Sequence, residues 1–346
     1  MPENPLTEQT PTVGGLSEAD LLTRIFPRLE MGGRHAASTL LGPGDDAAIV
    51  AAPDGRTLIS IDTQVQDQDF RLEWASGYRT TGYDVGWKAA AQNLSDINAM
   101  GATATSMVVS LTLPPETPVS WVEELADGLA AAIKELGATH CSVAGGDLGR
   151  GREISVTVAV LGTLAGGDAV LRSGAQAGDV LALAGTVGRA AAGLALLESD
   201  LDVNALPQEL RGLLDIQCRP QPPLAAGPLA RAAGATAMMD ISDGLLRDGT
   251  RLALAGNVVL DLAPAELKRL AESLKPASDL LLADPMAWVL GGGEDHGLLA
   301  TFPPDVQLPP GFTAIGSVQA PGISSGPGVT IAGHAAGTGG WDHFAE

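Results

Sequence analysis

The chain has 346 residues, with 20 Lys and Arg against 41 Asp and Glu and a formal net charge of −21. That length accommodates two domains with cores of their own, and an apolar content of 45% excludes wholesale disorder. The acidic balance excludes a nucleic-acid partner, because no cationic surplus exists to displace phosphate counterions, but it leaves small phosphorylated ligands open.

Aromatic residues are only 3% of the chain, so the cores must be built from Ala, Val, Leu and Ile. Cys141 and Cys218 lie far apart and form no CxxC pair, which argues against a disulfide framework or a zinc ribbon and for a reducing cytoplasm. Residues 1–15 are polar and rich in Pro and Thr; they read as a disordered tail and lack the apolar stretch of a signal peptide. A helix is expected from Ser17, with Asp20 completing a capping box and Leu21, Leu22, Ile25 and Phe26 at helical spacing. Short apolar runs at 47–52 and 57–61 flank Pro53-Asp54-Gly55, the chemistry of a hairpin turn. A helix over 85–100 should stop at Gly101, a strand should follow over 105–113, and a helix over 121–136 should stop at Gly137. Strands are expected at 140–143 and 154–164, then a Gly-rich connection at 165–173.

The pattern restarts with a strand at 180–184 and a helix through 190–197, then helices within 207–233 and a strand at 236–239. A helix after Ser242, a strand at 258–262, two further helices and strands near 297–302 and 312–318 complete the chain. The most apolar stretch, 180–197, is broken by Gly185, Gly188, Arg189 and Gly193, so no membrane span is expected. The class is α+β with mixed strands and helices, divided into a first domain over 16–166 and a second over 167–346.

None of the four lysines closes a GxxxxGK[ST] run, and no GxGxxG follows an expected strand, so neither a P-loop nor a dinucleotide fold is supported. Gly322-Ile323-Ser324-Ser325-Gly326 matches GxSxG, but Pro321 and Pro327 flank it, and a nucleophile elbow needs a strand before and a helix after. Acidic residues recur instead at the ends of apolar runs: Gly44-Asp45-Asp46, Ser60-Ile61-Asp62-Thr63, Asn93-Leu94-Ser95-Asp96, Gly145-Gly146-Asp147, Asp240-Ile241-Ser242-Asp243 and Gly292-Gly293-Glu294-Asp295. Each alone reads equally as a turn, a helix cap or a solvated residue. Together they sit among apolar residues and glycines, where two carboxylates ~4 Å apart cost on the order of 4 kcal/mol at an effective dielectric near 20. Hard divalent cations remove that cost, and oxygen ligands without His or Cys select Mg²⁺ or Ca²⁺ over zinc. Glycines beside them let backbone N–H groups approach a phosphate. The chemistry is that of several Mg²⁺ ions holding a polyphosphate.

In this order, together with Leu171-Arg172-Ser173-Gly174-Ala175 and the terminal Trp341-Asp342-His343-Phe344, these segments resemble thiamine-monophosphate kinase from about residue 16 to the end. That family belongs to the ATP-binding superfamily of aminoimidazole ribonucleotide synthetase. The resemblance implies a two-domain fold of that type and a homodimer whose N-terminal sheets pair. It also implies Mg²⁺-dependent transfer from ATP, as co-substrate, to thiamine monophosphate. By motif it assigns Asp45, Ser60, Ile61 (through its carbonyl), Asp62, Asp96, Asp147, Asp240 and Asp243 to metal. It assigns Gly146, Asp147, Arg172 and Ser242 to ATP, and Asp69, Glu294 and Trp341 to thiamine phosphate. Transfer would then be aided by metal-bound Asp62 and Asp147 and by Arg172, with no acid or base. Many relatives carry His in place of Asp69, and the stretch 74–83 is longer than in some. His140, Cys141 and Cys218 match no family role and read as packing residues. The alternatives are another ATP-dependent enzyme of the superfamily and a non-catalytic Mg-nucleotide binder. No Cys in residues 1–50 supports a selenophosphate synthetase, and the end Phe344-Ala345-Glu346 lacks the Cys of a hydrogenase-maturation relative.

Overall fold

The computed structural model describes residues 11–29, 37–42, 47–322, 326–337 and 339–341. The first half contains α1 (Glu18–Leu29), β1 (Thr39–Leu41), β2 (Ile49–Val50), β3 (Leu58–Val65), α2 (Gly82–Ala99), β4 (Thr103–Leu113), α3 (Val119–Glu135), β5 (Val143–Arg150) and β6 (Ser155–Thr163). Its main sheet has the order β3-β6-β4-β5, antiparallel except for β4 with β5. Alternation places Leu58, Ser60 and Asp62 on the face that meets α2, and Ile59, Ile61 and Thr63 on the opposite, open face.

Helix α2 is the centre of this half, and 15 of its residues are buried. Thr81 and Asp84 cap it reciprocally: the Asp84 N–H donates to the Thr81 hydroxyl at 3.2 Å, and the Asp84 carboxylate accepts from the Thr81 N–H at 3.0 Å. Glycines let it press against α3. A Cβ on Gly86 would lie 2.0 Å from the Leu125 carbonyl oxygen, and one on Gly128 would lie 2.1 Å from that of Tyr83.

The second half contains β7 (Val180–Ala184), α4 (Arg189–Glu198), α5 (Gln208–Cys218), α6 (Ala226–Ala232), β8 (Ala237–Ile241), α7 (Leu245–Gly256) and β9 (Val259–Leu262). It continues with α8 (Pro264–Glu272), α9 (Lys275–Leu281), α10 (Pro285–Gly291), β10 (Gly297–Phe302), β11 (Phe312–Gln319), β12 (Gly328–Ile331) and β13 (His334–Ala335). The sheet order is β13-β12-β9-β11-β7-β10-β8. Leu181, Leu183, Met239 and Ile241 face the large core beneath α4, α5 and α7. Ala182, Ala184 and Met238 face a smaller core shared with α6 and with Ala99 at the end of α2. Small residues on that second face bring the two halves close.

Several sequence expectations are corrected. Residues 53–55 do turn, with the Gly55 N–H on the Ala52 carbonyl at 3.0 Å, but no hairpin forms. β2 pairs with β1 and β3 with β6, because strand partners are chosen by tertiary packing. The strand expected at 140–143 starts only at Val143, and Gly145-Gly146-Asp147 lies inside it. A Cβ on Gly146 would lie 2.1 Å from the Val109 carbonyl oxygen, so the glycine serves strand packing. Three helices, not two, separate β9 from β10. The tail expected over 1–15 does not reach 11–15: Val13–Gly15 forms a 3-10 turn, bound through the Val13 N–H to the Thr117 carbonyl at 2.8 Å. Cys141 and Cys218 are buried and unpaired, whereas His140 is exposed and packs nothing. Residues 323–325 of the GxSxG match lie outside the described residues.

Gly86→Ala is expected to destabilise the protein by about 1–3 kcal/mol, the usual cost of overpacking. A urea melt checks it, and an unchanged midpoint would refute the close contact of α2 with α3.

Candidate functional site

A cleft of about 450 Å³ opens between the two halves. From the first half it receives Asp62 on β3, Gln92 and Asp96 on α2, and the turn after β3 that carries Asp69. From the second half come Asp240 at the end of β8, Ser242 and Asp243 in the turn into α7, Glu294, His296 and Trp341. The cleft thus joins acidic segments that are far apart in sequence, Asp62 and Asp96 with Asp240 and Glu294.

The carboxylates are not equivalent. Glu294 receives the Lys88 ammonium at 2.6 Å on one oxygen and the Gln217 amide at 2.5 Å on the other. Burial alone would raise its pKa, but the Lys88 charge and these two hydrogen bonds hold it below the ordinary carboxylate value. Asp243 accepts from Arg251 at 2.6 Å, and Arg251 also reaches the fully buried Asp248 at 2.7 Å. Among the described residues Asp62 and Asp96 have no Lys or Arg partner. Burial first, then repulsion from Asp240 and Asp62, pushes Asp96 up to about 7, although it accepts the Ser60 hydroxyl at 2.5 Å. Asp62 is raised by burial and by Asp240, against the pull of His296. The buried Asp240 accepts from Ser95 at 3.3 Å and faces the Nδ1 of His296 at 3.5 Å. Burial would lower His296, but its hydrogen bond with Asp240 and the surrounding carboxylates raise it.

Other expected residues lie elsewhere. Asp62, Val158, Val109 and Gly146 form one row across the sheet, so Gly146 is three strand spacings, about 14 Å, from Asp62. Asp147 falls in the next row, with Ser110, Thr157 and Thr63, on the open face of the sheet. Gly146, Asp147 and the 62% exposed side chain of Ile61 line a separate groove of about 710 Å³ beside α1 and α3. β3 is the edge strand of its sheet, which leaves alternate backbone carbonyls without a ladder partner, as a carbonyl ligand at Ile61 requires. Arg172 is exposed in the 3-10 turn Arg172–Gly174 and lines neither cavity. The Asp69 carboxylate accepts the Val65 N–H at 2.7 Å, and its main chain reaches Lys88. Trp341 is 55% exposed at the mouth of the cleft, its N–H on the Asp243 carbonyl at 2.9 Å. Asp45 and the terminal residues 342–344 lie outside the described residues.

Residues 44–164 match the family described as AIR synthase related protein, N-terminal domain. Across 346 aligned residues the chain is 43% identical to thiamine-monophosphate kinase of Mycobacterium tuberculosis, covering 99% of this chain and 96% of that one. The chain belongs to the thiamine-monophosphate kinase family. Among solved structures, the thiamine-monophosphate kinase of Stenotrophomonas maltophilia superposes with a TM-score of 0.74 at 32% identity, over 93% of this chain and 98% of that chain. AaThiL complexed with AMPPCP and TMP gives a TM-score of 0.72 at 30% identity, over 87% and 91% of the two chains. The fold class read from the sequence is thereby borne out.

Sequence reasoning in this family's terms missed His296, Lys88 and Gln217. His296 had a local signal: a polar residue directly after Gly292-Gly293-Glu294-Asp295, leading into an apolar strand. Lys88 and Gln217 had none, because each is read only through Glu294, the partner that the tertiary fold brings to it. Among the described residues no three His, Cys, Asp or Glu side chains converge as a ready-made metal centre. The uncompensated oxygens of Asp62 and Asp96 nonetheless fit Mg²⁺, which is held through one or two carboxylates plus substrate phosphates and water.

The raised Asp96 has a consequence for stability. With a folded value of about 7 against an ordinary 3.8, the native state holds more protons than the unfolded one between those limits. The contribution of Asp96 is therefore best at low pH and is lost as pH rises through that window. In EDTA, the melting temperature is expected to fall from pH 5 to pH 7.5, and Asp96→Asn should flatten the fall. Differential scanning fluorimetry checks this, and equal slopes for the two proteins would refute the uncompensated site.

Proposed function

We propose that this chain transfers the γ-phosphoryl group of ATP to thiamine monophosphate, giving thiamine diphosphate and ADP, with the inter-half cleft as the acceptor site. The geometric observation that carries this reading is the convergence of Asp62 and Asp96 from one half with Asp240, Glu294 and Trp341 from the other. A volume of about 450 Å³ suits one small ligand.

An oxygen of the substrate monophosphate attacks the γ-phosphorus, a new P–O bond forms, and the bond to the β-phosphate oxygen breaks. The attacking oxygen is already anionic near neutral pH, so no base is needed and catalysis reduces to alignment and charge neutralisation. Mg²⁺, held by Asp62, Asp96 and Asp240, and by Asp45 as its motif suggests, would supply charge neutralisation between two phosphorylated substrates, whereas Asp243, assigned to metal by its motif, is already paired with Arg251. Trp341 offers a flat apolar face at the cleft mouth, suited to an aromatic cation such as the thiazolium. Gly146 and Asp147 line the groove on the open face of the sheet, which we offer as the nucleotide-holding surface, whereas Ser242 lines the inter-half cleft. Arg172 would need to move, or to act from another copy, to reach phosphate.

The open face also supports a homodimer. Ile59 and Ile61 are 72% and 62% exposed and sit beside Val108 on one apolar surface, which pairing with a second copy would bury. Ile59→Asp with Ile61→Asp is expected to give monomers in light scattering; an unchanged mass would place the interface elsewhere. No described helix is long and apolar enough to cross a membrane, and the two unpaired buried cysteines suit a reducing cytoplasm.

Chromatography of protein with ATP, Mg²⁺ and thiamine monophosphate should give thiamine diphosphate, none from unphosphorylated thiamine and none in EDTA. Bound Mg-ATP without product would favour a non-catalytic binder, and turnover of another acceptor would favour a different superfamily enzyme. Asp62→Ala should lower kcat at least about 100-fold with the fold intact. Trp341→Ala should raise KM for thiamine monophosphate more than KM for ATP.

A further inference from the structure

We propose that Lys88 is a positioning residue for the accepting substrate, holding Glu294 in one orientation and tying it to the Asp69 turn. This rests on the reading of the cleft as the thiamine monophosphate site. The Lys88 side chain is 5% exposed, and an ammonium group in such a place must be paired. Two contacts satisfy it, the Glu294 carboxylate at 2.6 Å and the Asp69 main-chain carbonyl at 3.4 Å. Both lead to residues that line the cleft, whereas Lys88 itself does not line it.

Glu294 is constrained from several sides. Its φ is +65°, a left-handed conformation that a non-glycine residue keeps only when its surroundings impose it. Its N–H donates to the Ser242 carbonyl at 2.8 Å, and its second carboxylate oxygen accepts from Gln217 at 2.5 Å. Lys88 comes from α2 and Gln217 from α5, so the two carboxylate oxygens are held by different halves of the molecule, Lys88 from outside the cleft lining and Gln217 from within it. What remains free on Glu294 is its remaining lone pairs toward the cleft, a fixed acceptor for a donor group on the substrate.

Removing a purely structural ion pair would lower stability and disturb both substrates alike. A positioning role instead predicts a selective effect. Lys88→Met should raise KM for thiamine monophosphate roughly tenfold while KM for ATP stays within about twofold. Isothermal titration with thiamine monophosphate alone should show the same weakening. Lys88→Arg, which keeps the charge, should recover most of the affinity. In a double-mutant cycle, Lys88→Met added to Glu294→Gln should cost little beyond Glu294→Gln alone. Equal rises in both KM values, or additive losses in the cycle, would overturn the proposal. If Lys88→Met fails to fold, the cycle of Lys88→Gln, which removes the charge but keeps a polar side chain, with Glu294→Gln decides on the same criterion. Wild-type protein is the control: without thiamine diphosphate from it the functional reading fails, whereas normal turnover with an indifferent Lys88 refutes only this proposal.

Discussion

The close contact of α2 with α3 is the constraint on which the site depends. Glycines at 82, 86 and 128 remove the side chains that would hold the two helices apart. α2 can then lie between α3, the four-stranded sheet and the second half, buried along nearly its whole length. Lys88, Gln92 and Asp96 recur every four residues, so a single stripe of this helix feeds the cleft and the cluster behind it. Other positions fasten the second half: the Trp87 indole donates to the Pro220 carbonyl at 2.8 Å, and the Asn98 carboxamide oxygen accepts the Gly227 N–H at 2.8 Å. A helix gripped on every side fixes its functional stripe more rigidly than a surface loop could.

Joining two halves across a cleft also explains the long insertion after β3. Ser76 bonds through its N–H to the Leu197 carbonyl at 3.3 Å and accepts the Val203 N–H at 3.1 Å. Arg71 lies 5.2 Å over the Trp74 ring and pairs with Glu198 at 3.3 Å. Trp74 and Tyr78 pack against the core of the second half. This segment, longer than in some relatives, is therefore an arm of one half packed against the other, and its Trp74 lines the cavity.

Much of this was legible locally. Helix α1 follows from its cap and period, α2 and α3 from their stop glycines, and the strands from apolar runs. Asp62, Asp96, Asp240 and Glu294 follow from recurring acidic turns. What failed was non-local. The Pro53-Asp54-Gly55 turn exists, but which strands pair across the sheet is decided by burial against α2, which no turn reveals. His140 read as buried because an apolar run follows it, yet the strand begins three residues later. Asp147 shares a motif style with Asp62 but faces the other side of the sheet, since side chains alternate and their rows differ by one. Lys88 was indistinguishable from any helix lysine until Glu294 was placed opposite.

The cleft sorts its carboxylates by whether the protein supplies their counter-charge. Glu294 has Lys88, Asp243 has Arg251, and Asp84 beneath the floor has Arg219 at 3.4 Å. Among the described residues Asp62 and Asp96 have no Lys or Arg partner, and burial first, then the neighbouring carboxylates, raises their proton affinity. Evolution of a site for an organic cation needs acceptors that stay ionised and fixed whether or not ligand is present, which built-in pairing provides. A site for phosphates neutralised by metal needs carboxylates whose charge is cancelled only when the ions arrive, because a resident lysine there would compete with them. The two kinds lie within one cavity, on the Glu294 side and the Asp62–Asp96 side respectively. That division gives the cavity two chemically different ends, one with a prepaired carboxylate and one with carboxylates that lack a Lys or Arg partner among the described residues.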